Sequence, residues 1–323
     1  MPAGGDTIAL TPMDRQEQLR QSRIAGEQLA ARKEYERLLK SLDAESKQIL
    51  SQHVDKLMQM IEGDGFSVIA LRKLADELQR EIHSMIKSKS VIAIDFAKKV
   101  KAADFKPYLG EVQRLLSARN VPVAAAKEIV SLPRISPIFG GGMDKTLLDN
   151  VWYKVWPDAL NVDDRIKLLS KRVMKFSEMT IKQGISEGKS AANIARQLKQ
   201  HFEVEGLERK AAFRLAAHTT NLSYQSAQAE ISIQARFVMG VRIVRGMYGN
   251  MDPGCPICDD HGGQNYKEYY KSDFGGRDMD MWVMANAPAY HVNCSCGVET
   301  IYEDAVTFVR KAREWYSKQN GGR

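Results

Sequence analysis

The first 254 residues of this chain contain no cysteine; all four lie between positions 255 and 296. No apolar run approaches the roughly 20 residues that a membrane-spanning helix needs, so no membrane partner is expected. The opening "MPAGGDTIALTPMDRQ" has neither a basic n-region nor an apolar h-region, so no signal peptide is expected. A soluble chain made in a reducing cytosol follows as the expectation. In that compartment clustered cysteines serve metal binding or redox chemistry more often than disulfides. No internal repeat of fixed period is present. Outside the cysteine region no Asp, Glu and His set has catalytic spacing, so the chain is not expected to be an enzyme.

What is present is an ordinary globular composition. The chain has 323 residues, 44% hydrophobic and 27% charged, with a net charge of +7. That length allows two domains, or one with a long appendage. The excess positive charge permits contact with nucleic acid without demanding it, since dedicated binders concentrate their charge.

Helical signals dominate. Residues 1–13 read as a disordered tail. Residues 14–131 read as a helical arm or domain. Within it, Asp14 to about Lys40 is rich in helix formers but has only a thin apolar stripe. That stretch suits either a solvated helix or an arm that orders against a partner. Leu50, Val54, Leu57, Met58 and Ile61 mark a clearer amphipathic helix, ending at Gly63-Asp64-Gly65. Ser67 is placed to cap the next one. Lys98, Lys99, Lys101 and Lys106 read as a solvated face, or as contacts to phosphate.

Residues 132–145, with "LPRISPIFGGG", read as a Pro/Gly linker. Residues 146–240 return to helix. Asn161 caps a helix with Ile166, Leu169, Val173, Phe176 and Met179 on its apolar face. Residues 241–302 form a strand and loop module, with strands expected at "VMGVRIVRGMYG" and "GVETIY". Residues 303–323 are a final helix and tail, with Val306, Val309, Ala312 and Trp315 at helical spacing. The fold class is therefore mostly α, a helical N-terminal region followed by a small α+β module stapled by zinc.

The staple is read from two motifs. Cys255 and Cys258 form a C-x-x-C, which can aim two thiolates at one ion; Asp-Pro-Gly before it and Gly-Gly after it suggest a turn. His291, Cys294 and Cys296 form H-x-x-C-x-C. Five donors are then available for a tetrahedral shell of four. The preferred shell is Cys255, Cys258, His291 and one or both of Cys294 and Cys296; four cysteines is the other choice. A filled shell means structural zinc. It would lend several kcal/mol of folding energy to a segment poor in aliphatic residues. Two disulfides and a thioredoxin-like redox pair are weaker alternatives. Asp260-His261 beside the C-x-x-C resembles the H-N-H endonucleases, but the downstream histidine and cysteines are already committed to the metal shell.

The order of segments carries a further resemblance. "SAANIARQLKQHF" and "RKAAFRLAAHTTNLSYQSAQAE" precede a strand, then "DPGCPICDDHGGQNY", then "APAYHVNCSCGVETI". This is similar to the phage Mu F-like minor head proteins, the head morphogenesis family. Cys255, Cys258, Gly263, His291, Cys294 and Cys296 match its pattern, and the match runs from Ser190 onward. The resemblance implies a low-copy virion protein, held at the portal vertex or in the capsid interior. It implies partners among the portal, major capsid or scaffolding proteins and packaged double-stranded DNA, and a role in head assembly, DNA packaging or DNA delivery. A DNA-binding zinc protein acting outside the virion is the rival reading, with a metal-dependent nuclease behind it.

Overall fold

The computed structural model describes residues 12–62, 67–119, 143–154, 159–202, 206–245, 255–263, 266–274, 288, 294 and 296–320. The expected tail up to residue 11, most of the Pro/Gly linker and the turn at 250–254 lie outside them. The chain is mostly helical, with one small antiparallel sheet near its C-terminal end.

Two helices of 51 residues each open the fold, α1 (Pro12–Glu62) and α2 (Val68–Ala118). Sequence reading expects two helices across α1. The connecting "SLDAESKQ" contains no Gly or Pro, so nothing ends the first, and one helix runs through. Ser67 caps α2 as expected, accepting from the Ala70 amide at 3.2 Å. The two run antiparallel. Lys56 of α1 reaches Glu77 at 3.1 Å and Glu81 at 3.0 Å on α2, and Lys89 of α2 reaches back to Glu45.

Three helices follow: α3 (Met143–Tyr153), α4 (Val162–Ser186) and α5 (Ala191–Gln200). Asn161 and Asp164 close a capping box at the start of α4. The buried face of α4 differs from the expected one at its C-terminal end. Ile166, Leu169 and Val173 are buried, but the stripe continues through Ser177, Thr180, Ile181 and Gly184, and Met179 is 59% exposed. Small residues let α4 lie close to its neighbours, and Ser170 donates to the Ala75 carbonyl of α2 at 3.0 Å.

At the centre lies α6 (Leu207–Gln234). Every residue from His218 to Ala229 is buried, although many are polar. Three of its hydroxyls are satisfied within the helix: Thr219 donates to the Leu215 carbonyl, Ser223 to Thr219 and Ser232 to Gln228, at 2.8–2.9 Å, whereas the buried Thr220 hydroxyl has no partner among the described residues. Short side chains let other elements approach α6 from all sides. On one side α2 stacks Phe96 against Tyr224, with ring centroids 5.8 Å apart.

The sheet has the order β2-β1-β3, with β1 (Val238–Val244) between β2 (Tyr266–Tyr270) and β3 (Gly297–Tyr302). β1 and β3 stand where expected; β2 was not foreseen. Val241 and Ile243 face inward and are fully buried. On the other face Arg242 bridges both neighbours, to Glu268 at 2.6 Å and Glu299 at 3.4 Å. Gly240 is required by close approach: a Cβ there would lie 2.1 Å from the Tyr269 carbonyl oxygen.

A short α7 (Pro256–Gly262) lies between β1 and β2, and α8 (Ala305–Asn320) closes the chain. Among the described side chains of α8, Ala305, Phe308 and Val309 are buried, whereas Val306, expected inward, is 46% exposed; the side chain of Trp315 lies outside the description. Phe308 joins Phe105, Tyr108, Phe237 and Val238 in a core shared by α2, β1 and α8. Lys101 adds a polar link. It is not part of a solvated face: it is 3% exposed, and its ammonium donates to Thr300 of β3 at 2.9 Å and approaches Asp104 at 3.4 Å. Helices from before residue 120 and from after residue 142 thus share their cores.

Candidate metal centre

Local sequence explains α7. Cys255 is its N-cap and Pro256 its first helical residue, where a missing N–H costs nothing. Gly263 ends it with φ 59° and ψ −159°, a conformation open to glycine. This corrects the turn expected from Asp-Pro-Gly and Gly-Gly: the C-x-x-C begins a helix of seven residues. Arg245, just past β1, is buried and pairs with Asp259 of α7; it also donates to the Gly263 carbonyl at 3.3 Å. Lys267 of β2 donates to the Asp260 carbonyl at 3.2 Å. These contacts fix α7 against the sheet, and sequence reading did not anticipate Arg245.

The two cysteine motifs meet. The ligating atoms of Cys258, Cys294 and Cys296 lie within 4.8 Å of one another, and the Cys258 and Cys294 sulfurs are 3.9 Å apart. Zinc–sulfur bonds of about 2.3 Å in a tetrahedron put sulfurs about 3.8 Å apart, so the spacing fits a shared ion. All four cysteines are buried, and no disulfide joins them. Cys255 lies in the same apolar cluster, and its thiol is a hydrogen-bond neighbour of Cys258. Of the five predicted donors, three converge and a fourth sits beside them. His291 lies outside the described residues, as does the side chain of His261.

The surroundings are apolar: Val151, Leu222, Ile233, Val241 and Val298 pack around the sulfurs. Burial first, and then the neighbouring Cys294 sulfur, push the Cys258 thiol up to about 12. Cys296 is pushed up as well, by its contact with Cys294 and then by burial. A low-dielectric pocket of sulfurs cannot hold several bare thiolates. A divalent cation reverses that, since a coordinating thiol loses its proton outright. The same upward shift opposes a redox role, which needs a depressed thiol pKa.

Two polar groups border the sulfurs. The Asn221 side chain, from buried α6, donates to the Cys294 carbonyl at 3.3 Å, and Gln225 donates to the Asn221 amide oxygen at 3.5 Å. Lys154, following α3, also stands close. Burial pulls its ammonium down to about 8, and Cys294 acts in the opposite direction. Neither was foreseen, because each lies far from the cysteines in sequence.

This cysteine cluster can hold a metal ion. No family model, curated protein or solved structure matches the chain. Among the described residues no helix is long and apolar enough to cross a membrane.

Proposed function

We propose that this chain is a bacteriophage minor head protein whose C-terminal module is stapled by a structural zinc ion. The observation that carries the reading is the convergence of Cys258, Cys294 and Cys296 from two motifs that follow α6 and β1. That order of helix, strand, C-x-x-C and H-x-x-C-x-C is the one on which the resemblance to the Mu F-like proteins rests. Sulfur donors in a buried apolar setting suit zinc better than hard cations such as magnesium or calcium. Cys258, Cys294 and Cys296 would hold the ion, with Cys255 or His291 as fourth ligand. Bound there, zinc supplies cross-linking rather than chemistry, tying α7 to the approach to β3. The protein serves at the portal vertex or within the procapsid, alongside portal, capsid or scaffolding subunits and packaged DNA, and it performs no catalysis.

Two measurements test this separately. Metal analysis of the purified chain is expected to give one zinc per molecule, lost in Cys258→Ser; a metal-free wild type would end the zinc assignment. Mass spectrometry of purified particles from the phage that encodes the chain is expected to find it in few copies. Its absence from particles, with head yield unchanged on deletion, would end the virion assignment.

A further inference from the structure

The charge of this chain is not evenly spread. Between Arg165 and Lys175, α4 carries five basic side chains and no acid; with Lys182, Glu178 and the Asp163 and Asp164 of its first turn, the helix has six bases and three acids. Lys167, Lys171, Arg172, Lys175 and Lys182 are exposed, on the side opposite the buried stripe. Lys167 has Asp164 at 4.0 Å and Lys182 has Glu178 at 2.5 Å. The side chains of Lys171, Arg172 and Lys175 make no ion pair or hydrogen bond with any described residue.

The arrangement works against the helix itself. Lys167, Lys171 and Lys175 are spaced four apart, so each sits one turn above the last, and like charges at that spacing destabilise a helix. A face kept for solubility alone would interleave acids, as α1 and α2 do with Lys56 between Glu77 and Glu81. The exposed cations extend about 22 Å along the axis. The face carries no exposed aromatic ring: Phe176 is partly buried and stacks on His201 at 3.6 Å. Single-strand binders stack bases on aromatic side chains, so this face lacks their platform. Lysine point charges along a rigid rod match instead a regular row of phosphates, with no reading of base edges.

We propose that the exposed face of α4, centred on Lys171, Arg172 and Lys175, is a docking surface for the phosphate backbone of duplex DNA, independent of sequence. The choice of DNA rests on the head-protein reading; the surface itself does not depend on the thiol cluster.

The test is fluorescence anisotropy of a labelled 30-base-pair duplex of arbitrary sequence, titrated with full-length protein between 50 and 200 mM salt. Binding is expected to weaken with salt, with a slope of log K against log salt of about −3 from three unpaired cations. The triple variant Lys171→Gln, Arg172→Gln, Lys175→Gln is expected to lose roughly 10-fold or more in affinity at low salt and most of that slope. Its melting temperature should be unchanged or higher, since repulsion is relieved. A charge-matched control, Lys33→Gln, Arg37→Gln, Lys40→Gln on α1, should retain most of the wild-type affinity. No binding at 50 mM salt, equal loss in both triple variants, or preference for single strands would overturn the proposal. So would binding only to an acidic protein surface. Failure here with the chain still found in virions would remove the docking surface and leave the head-protein reading standing.

Discussion

Asn221 uses its side-chain amide to hold the carbonyl of Cys294, and Gln225 one turn on holds Asn221 in turn. That contact fixes the backbone from which two of the three converging sulfurs project. Groups that orient ligands typically govern metal affinity by 10- to 100-fold. Asn221→Ala is therefore expected to weaken cobalt or zinc binding by at least about 10-fold. Competition with a chromophoric chelator would measure it, and unchanged affinity would show that Asn221 serves packing alone. His53 of α1 poses a different problem. It is 2% exposed, and burial first, then Lys56, push its imidazole down to about 4, with Glu77 opposing. The unfolded chain, with an ordinary pKa near 6.5, binds the proton more readily than the folded one. Stability is thus intact above about pH 6.5 and lost as pH falls toward 4, by about 3 kcal/mol in total. Urea unfolding across that range should show His53→Gln with a flatter profile than wild type; parallel profiles would refute the assignment. None of these residues stands out in the sequence. Asn221 and Cys294 meet across a sequence separation of 73, and a histidine's burial depends on which helices cover it.

At the level of elements, the legible parts were those with their own local signals. β1 and β3 announced themselves by Val and Ile content, α4 by Asn161, and α2 by Ser67. β2 did not, because "YKEYY" lacks an alternating apolar pattern and gains its partners only by lying along β1. The C-x-x-C helix was misread because flanking Gly and Pro signal turns equally well as helix ends. Gly240 shows how tightly the sheet is specified. Adding a Cβ 2.1 Å from the Tyr269 carbonyl oxygen must push β2 away from β1. Gly240→Ala is expected to cost about 3 kcal/mol of stability by chemical denaturation, the upper range for overpacking. A loss below the scatter of such a measurement would mean that β2 shifts freely.

Across the whole molecule, α6 acquires its surroundings from both halves of the chain. Phe96, Lys101, Phe105 and Tyr108 of α2 pack or bond against Tyr224, Thr300, Phe237 and Tyr302. A fragment of residues 143–323 would expose those partners and leave the many buried polar groups of α6 facing water on one side. It is expected to aggregate, or to give broad amide spectra in nuclear magnetic resonance, even with zinc present. A sharp, cooperative melt of that fragment would show that the C-terminal part folds alone.

By itself the sequence determined that the chain is mostly helical, that strands come late, and that four cysteines in two motifs can serve one ion. Each follows from local propensity, periodicity or spacing. Only the tertiary structure decided which residues complete the metal centre, which lysine is buried, and that the cations of α4 lie on its exposed face. Those outcomes depend on how α2, α4 and α6 are packed, and packing sets burial and neighbours across separations that a one-dimensional pattern does not record.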